Sequence, residues 1–328
     1  MSNARISFAC GLYDRVLPLY TGEVRPAGVD LNFIAINSPR EIFDRMGGTQ
    51  EFDASEFSSS EFIAGYAAGK TPFVALPFFP SRVFRHSMIT INKRSGIKSP
   101  KDLEGKRVGV PLYTQTAAIF IRGMLQHDHG VDLSKIHWVQ GALNHVGTHG
   151  NPSAPPLLKP LEMEIADPKK SLSDLIDKGE IDAITATGLP ASMRRNPDVV
   201  RLFPNYREME RDYYKRTGIF PIMHLVAMRR DTHEKYPFAA TSLYEALKQS
   251  RKRALALLRE TGALRYMLPW LTADIDEIDE VFGGDPWPDG VEANRKTLEA
   301  LVTYMHEQHM IAKRVPVDEL FIKTYESH

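Results

Sequence analysis

Three basic side chains, Arg82, Arg85 and His86, fall close together in the apolar run PFFPSRVFRHSMITIN. A little further on, RVGV stops at Pro111 and gives way to a hydroxyl-rich stretch, Tyr113, Thr114, Gln115 and Thr116, which reads as the start of a helix. Cations beside a helix N-terminus suit a small anionic ligand, because unpaired N–H groups and the helix dipole both favour negative charge. A second imidazole, His224, lies inside IFPIMHLVAM, where a hydrogen-bonded core histidine is the ordinary expectation and proton transfer near neutral pH is the functional one. Glu56 and Ser58, Ser59 and Ser60 stand where a short strand meets a helix start, so the serines are either caps or ligand contacts. Tyr13 and Arg15, at the end of the first strand, either line a site or form a surface turn.

The elements that must hold these groups alternate. Strands are predicted at Arg5–Gly11, Val29–Ile36, Phe52–Phe57 and from Phe73, with Ser38, Pro39 and Glu41 forming a well-made helix start. The run carrying Arg82 to His86 is read as one crossover strand, which puts Arg82 and His86 on one face and Arg85 on the other. Beyond it come a helix at Thr116–His127, a strand at Ile136–Val139, a long loop at 141–160, a helix at Ser171–Lys178 closed by Gly179, and a buried strand at Ile181–Thr187. Ile219–Met228 reads as the strand that returns to the first domain, and from Pro237 the chain is mostly helical. Alternating strands and helices predict α/β sheets whose ligands sit beyond the carboxyl ends of the strands. Two lobes follow, residues 1–88 with 225–328 and residues 89–224, with a ligand cleft expected between them.

Composition removes several classes of function. The 328 residues are 43% hydrophobic and 25% charged, with 41 basic residues balanced by 41 acidic ones, so neither nucleic acid nor an anionic membrane is an expected partner. The sole cysteine, Cys10, sits in an apolar run and reads as packing. The N-terminal MSNARISFACGLYDR reads as a strand rather than a signal peptide, and no stretch reaches the ~18 apolar residues of a membrane helix, so a cytoplasmic protein is expected. His127 with His129 and His145 with His149 have the spacing of metal-ligand pairs, but the first pair ends a helix where cations are favoured anyway and the second lies in a Gly-rich loop with no evident carboxylate or thiol partner nearby, so no metal is expected. No nucleotide or dinucleotide fingerprint is present.

ACGLYDR, PFFPSRVFRHS, PKDLEGKRVGVP, TGIFPIMH and WPDGVEANRKTLEALVTYMHEQ, in this order along nearly the whole chain, resemble the 4,5-dihydroxyphthalate decarboxylase family. RVFRHS together with TGIFPIMH carries most of the specificity. Two segments depart from the family pattern, NHVGTHGNPSAPP in the 141–160 loop and PWPDG, where a Pro and an Asp stand in place of the usual aromatic residues. The resemblance implies the two-lobed fold of type 2 substrate-binding proteins, here with a helical C-terminal extension, and cofactor-free loss of CO2 from a hydroxylated phthalate to give a catechol-type benzoate. It implies that a ring hydroxyl para to the departing carboxylate gives up or shares its proton while an acid protonates the ring carbon.

On that basis Arg82 is expected to anchor a carboxylate and His86 to donate or accept a proton, with His224 as base toward a ring hydroxyl. Arg85, Glu56, Ser58, Ser59, Ser60, Tyr13, Arg15, Tyr113, Thr114 and Thr116 are expected around the substrate, a small aromatic dicarboxylate. Trp287 and Asn294 are expected to order the C-terminal loop, and a homodimer through the helical C-terminus is expected. The competing expectation is a non-catalytic binding protein of the ABC-transporter type for an aromatic or other organic anion, since the fold alone does not fix function.

Overall fold

The computed structural model describes residues 3–323. The chain divides into two compact units, the first made of residues up to Arg82, Ile222–Glu299 and from Val315, the second of Val83–Pro221 and Ala300–Arg314.

The first unit opens with β1 (Ala4–Cys10), followed by α1 (Leu17–Tyr20), β2 (Val29–Ala35), α2 (Pro39–Thr49), β3 (Ala54–Ser58), α3 (Ser59–Ala67) and β4 (Phe73–Arg82). Local sequence sets several of these boundaries. Ser38 caps α2 by accepting the Glu41 N–H, with Pro39 in the first turn, and Ser58 caps α3 by accepting the Glu61 N–H. Pro77 and Pro80 are tolerated in β4 because it is the last strand of its sheet.

The second unit contains β5 (Ile89–Asn92), β6 (Arg107–Val110), α4 (Thr116–His129), β7 (His137–Gln140), β8 (Met163–Ile165), α5 (Leu172–Lys178), β9 (Ala183–Thr185), β10 (Val199–Arg201) and α6 (Tyr206–Thr217). Gly130 ends α4 and Gly179 ends α5 in the left-handed conformation that favours glycine at these positions. The chain returns as β11 (Ile222–Arg229) and finishes with α7 (Arg230–Lys235), α8 (Pro237–Leu258), α9 (Leu271–Phe282) and α10 (Arg295–Glu307).

The five strands of the first unit run β2-β1-β3-β11-β4, parallel among β1, β2 and β3 and antiparallel at β11. The core of this unit packs Ile6, Phe8, Leu76, Phe78 and Val226 against Leu243, Tyr244 and Leu247 of α8. The six strands of the second unit run β10-β5-β9-β6-β7-β8. There β9, β6, β7 and β8 are parallel, so their carboxyl ends share one edge of the sheet. Within this unit Gly123 of α4 faces the Tyr304 ring so closely that no Cβ would fit, which explains a glycine in a helix interior. Among the described residues no helix is long and apolar enough to cross a membrane.

One expectation about local structure fails. Residues 82–91 do not form one strand: β4 ends at Arg82, the chain bends, and His86–Met88 make a turn of 3-10 helix before β5 begins. The alternation that put Arg82 and His86 on one face therefore does not exist. Arg85 is the residue at the bend, with φ −123° and ψ 0°.

Candidate functional site

In the first unit the site is built on the middle of the sheet. Glu56 lies in β3, flanked by β1 on one side and β11 on the other, and is fully buried. Its carboxylate collects donors from both neighbours. Gly11 donates its backbone N–H (3.1 Å) and Tyr13 its hydroxyl (2.8 Å) from the end of β1, and the Nδ1 of His224 approaches to 2.5 Å from β11. The Cys10 thiol, buried in the core of this unit, points at the same carboxylate at 3.6 Å.

Each contact has a local cause. Tyr13 folds back over Gly11, where a Cβ would stand 2.8 Å from the phenol ring. In the unshifted β3 to β11 register Val226 lies opposite Glu56, so His224, two residues away, is a diagonal neighbour of Glu56 on the same face of the sheet. Phe43 of α2 sets its ring edge against the imidazole at 4.8 Å and 80°. Among the described residues no further hydrogen bond reaches the His224 imidazole, so with Nδ1 committed to Glu56 its Nε2 remains for chemistry. The side chain of His224 is 17% exposed, whereas that of Glu56 is 0% exposed.

Burial pushes the Glu56 carboxyl upward, but the His224 charge and hydrogen bond, with those from Gly11 and Tyr13, outweigh it and leave the group below the usual carboxylate range. Glu56 is thus an anion at neutral pH. Burial, then the neighbouring Glu56 charge, drives the Tyr13 phenol far above its ordinary value, which makes it a hydrogen-bond donor and not a base.

The remaining expected groups of this unit fall around that pair. His224 lies opposite Ser58 in the β3 to β11 register, so the imidazole adjoins the start of α3, where Ser58, Ser59 and Ser60 are buried. Ser58 and Ser60 share a hydroxyl contact at 3.2 Å. Arg15 is stacked between the Tyr13 ring (4.2 Å) and the Trp287 ring (4.5 Å). Arg82, expected as the carboxylate anchor, is 4% exposed and its guanidinium donates to the Pro288 carbonyl (2.9 Å) and to the Asn294 amide oxygen. Asn294 in turn donates to the carbonyls of Pro288 and Gly290, and Trp287 donates to the Phe79 carbonyl. Arg82 thus holds the PWPDG loop, together with the two residues expected to order it.

In the second unit the expected residues meet at the shared carboxyl edge of β6, β7 and β9. Arg85 is 7% exposed and donates to the Thr187 carbonyl just beyond β9 (3.3 Å), while its Nε is buried with no hydrogen-bond partner. Burial lowers this guanidinium to about 10, so it is still a cation at neutral pH. Thr116 opens α4, and the N-cap is Gln115, not Thr114. Tyr113 is occupied: its N–H bonds the Gln140 side chain, its carbonyl accepts from Arg122, and its ring lies under the Arg122 guanidinium at 3.6 Å.

His86 is 3% exposed among aromatic rings, with Tyr213 at 5.3 Å and Phe203 at 5.8 Å. Its Nδ1 is buried and unbonded, 3.8 Å from a Glu210 carboxylate oxygen. Burial, helped by the His129 charge, lowers the imidazole to about 4, so it is neutral at physiological pH. Glu210 lay unsuspected in a charged helix, and nothing in its sequence context marks it out. Burial raises its carboxyl to about 7, against the backbone hydrogen bonds of Ser87 and His86 that oppose the shift.

Among the described residues no group of three or more His, Cys, Asp and Glu side chains could hold a metal. His127 pairs with Glu307 at 2.7 Å, His129 stacks on Phe203, and His149 meets Gln115.

Residues 82–149 match the family model described as NMT1/THI5 like. Among solved structures, a protein of Bordetella bronchiseptica RB50 is similar at 18% identity and TM-score 0.53, covering 98% of this chain and 96% of its own. The periplasmic aliphatic sulphonate binding protein SsuA of Escherichia coli is similar at 13% identity and TM-score 0.51, over 100% and 94%. These likenesses show the periplasmic-binding-protein fold. The 4,5-dihydroxyphthalate decarboxylase of Pseudomonas putida is 36% identical over 216 residues, 66% of this chain and 83% of its own. That of Comamonas testosteroni is 34% identical over 322 residues, 98% of this chain and 97% of its own. With most of both chains aligned at that identity, the protein belongs to the 4,5-dihydroxyphthalate decarboxylase family.

Proposed function

We propose that this chain removes CO2 from a phthalate bearing ring hydroxyls, of the 4,5-dihydroxyphthalate type, to give a catechol-type benzoate without a cofactor. The observation that carries the proposal is the pair of Glu56 and His224: a fully buried carboxylate holds one imidazole nitrogen and leaves the other to act. In its neutral form His224, with Nδ1–H donated to Glu56, presents an Nε2 lone pair, and the anion beside it stabilises the imidazolium that forms when a proton is taken. Nε2 accepts the proton of the ring hydroxyl para to the departing carboxylate. Electron density then moves into the ring, a proton from solvent water adds to the carbon bearing that carboxylate, the C–C bond electrons return to the ring as CO2 leaves, and His224 gives its proton back to the ring oxygen. One proton is consumed overall and no oxidant or reductant is needed.

Substrate carboxylates need cations and N–H donors. Arg85, charged, buried and incompletely bonded, takes the anchoring role in place of Arg82, whose guanidinium serves the PWPDG loop. The starts of α3 and α4, with Ser58 to Ser60 and with Thr114 and Thr116, supply N–H donors for negative charge. Arg15, held flat between two aromatic rings, adds a cation in the first unit. His86, neutral and enclosed, supports the Arg85 bend and not proton transfer, and Glu210 receives the backbone of the same turn. We further propose a cytoplasmic dimer, with the exposed Leu264, Met267, Leu268 and Trp270 ahead of α9 providing apolar surface for pairing.

Purified protein mixed with 4,5-dihydroxyphthalate is expected to release CO2 with a matching change in ring absorbance, and His224→Gln to lower kcat by ~10²–10⁴. Tight binding without CO2 release would make the chain a binding protein for that ligand. Arg85→Ala is expected to weaken binding of phthalate, a dianion, by about ten- to a hundredfold and that of benzoate much less, as a lost charged hydrogen bond implies. Equal losses for both ligands would assign Arg85 to the fold alone. Glu210 sets a pH dependence of stability. Burial raises its folded carboxyl to about 7 from an ordinary value of 4.5, so between these values the folded state holds a proton that the unfolded state has lost. Its contribution to stability therefore falls as pH rises through that window. Glu210→Gln is expected to flatten the fall in melting temperature between pH 5 and 7, and an unchanged slope would contradict the shift.

A further inference from the structure

The loop at 141–160, which departs from the family pattern, is folded back onto the same edge of the second unit's sheet. Asn144 donates to the Leu189 carbonyl (3.1 Å) and accepts the Ala191 N–H (2.7 Å), which fastens the loop to the segment following β9. At the next turn of the loop His149 reaches the N-cap of α4, where its Nε2 stands 3.0 Å from the Gln115 side-chain nitrogen. The amide therefore donates to a neutral imidazole. Its other end, Oε1, is buried with no hydrogen-bond partner. A buried acceptor left unmet costs free energy that a matching donor recovers. This acceptor lies on the edge reached by Arg85, whose Nε is likewise buried and unmet. The two open valences differ in kind: one is a cationic N–H suited to a carboxylate, the other a neutral oxygen that only a donor can satisfy. A ring bearing both carboxylates and hydroxyls offers both.

We propose that Gln115 reads a ring hydroxyl of the substrate through Oε1 and that His149 is the positioning residue that fixes the amide for this task, an inference that rests on the decarboxylase function proposed above. His149 bonds the amide nitrogen, so the oxygen is turned toward the ligand. Without His149 the amide is free to turn over and present NH2 instead, which repels a hydroxyl donor. The pair thus distinguishes hydroxylated from unhydroxylated phthalates, a discrimination that hydrogen-bonding sites achieve because a ligand lacking the group leaves the buried acceptor unpaired.

The test compares dissociation constants for 4,5-dihydroxyphthalate and phthalate by calorimetry, in a His224→Gln background so that turnover does not intervene, with His149→Ala and Gln115→Leu added singly. The unmodified site is expected to favour the dihydroxylated ligand by about tenfold or more, and each change to remove about tenfold of that preference while leaving phthalate binding nearly unchanged. Equal affinity for the two ligands before any change, equal losses for both ligands, a lowered melting temperature with the preference intact, or no binding of either ligand would each overturn the proposal. Turnover of 4,5-dihydroxyphthalate by the wild-type protein is scored separately. A hydroxyl preference that the two changes abolish, in a protein that releases no CO2, would uphold the pair and refute the decarboxylase function; turnover without such a preference would do the reverse.

Discussion

A carboxylate at the centre of a sheet is the constraint on which the first unit turns. Removing an ion from water costs several kcal/mol even after relaxation, so a fully buried Glu56 persists only if charge and hydrogen bonds replace the solvent it has lost. The replacements come from the two neighbouring strands: Gly11 and Tyr13 from the end of β1 and His224 from β11, all converging on β3. Take away the glycine at 11 and Tyr13 cannot fold over the acid; take away the β3 to β11 pairing, in which Val226 lies opposite Glu56 and His224 two positions along, and the imidazole is no longer beside it. The same anion that is costly to bury is what gives His224 a defined tautomer, so the energetic burden and the chemistry have one origin.

The second unit uses the opposite sign. Two arginines, Arg85 and Arg122, are buried, and among the described residues no carboxylate is in hydrogen-bond contact with either. Arg122 donates through Nε to the Gln308 side chain and through one terminal nitrogen to the Tyr113 carbonyl, with the Tyr113 ring beneath it, and leaves its other terminal nitrogen buried without a hydrogen-bond partner. Arg85 is bonded only to the Thr187 carbonyl. A carboxylate stands nearby, but Glu210, raised to about 7 by burial, is largely uncharged at mildly acid pH and compensates Arg85 weakly there. An incompletely satisfied cation at the carboxyl edge of a parallel sheet, beside the start of α4, is an arrangement suited to an anionic ligand.

Much of the fold was legible because its signals are local. Ser38 with Pro39 and Glu41, Gly130 and Gly179 as helix ends, and the alternation of apolar strands with capped helices all act within a few residues. Apolar periodicity alone carries no sign of a bend, so the Pro-containing run before Arg82 reads as continuing into a strand at His86. The bend separates residues that alternation had put together. His224 and Glu56 were both identifiable as candidates, yet their pairing was not, because it depends on β11 inserting antiparallel next to β3, a contact between residues far apart in the chain. Arg82 looked like a ligand anchor for the same reason: its partners, Pro288 and Asn294, arrive from the distant C-terminal loop. Glu210 and Gln115 carried no signal, since one sits in a run of charges and the other is an N-cap with no side-chain capping bond.

The central claim is that a buried anion at Glu56 fixes the proton on Nδ1 of His224 and leaves Nε2 free. Nitrogen-15 NMR of the histidine ring at neutral pH reads this directly, with His224→Gln used to assign the resonance. The account predicts a protonated Nδ1 and an unprotonated Nε2 in the wild-type protein, and a loss of that bias in Glu56→Gln. A proton found on Nε2 of the neutral ring, or a tautomer indifferent to the Glu56 change, would contradict it.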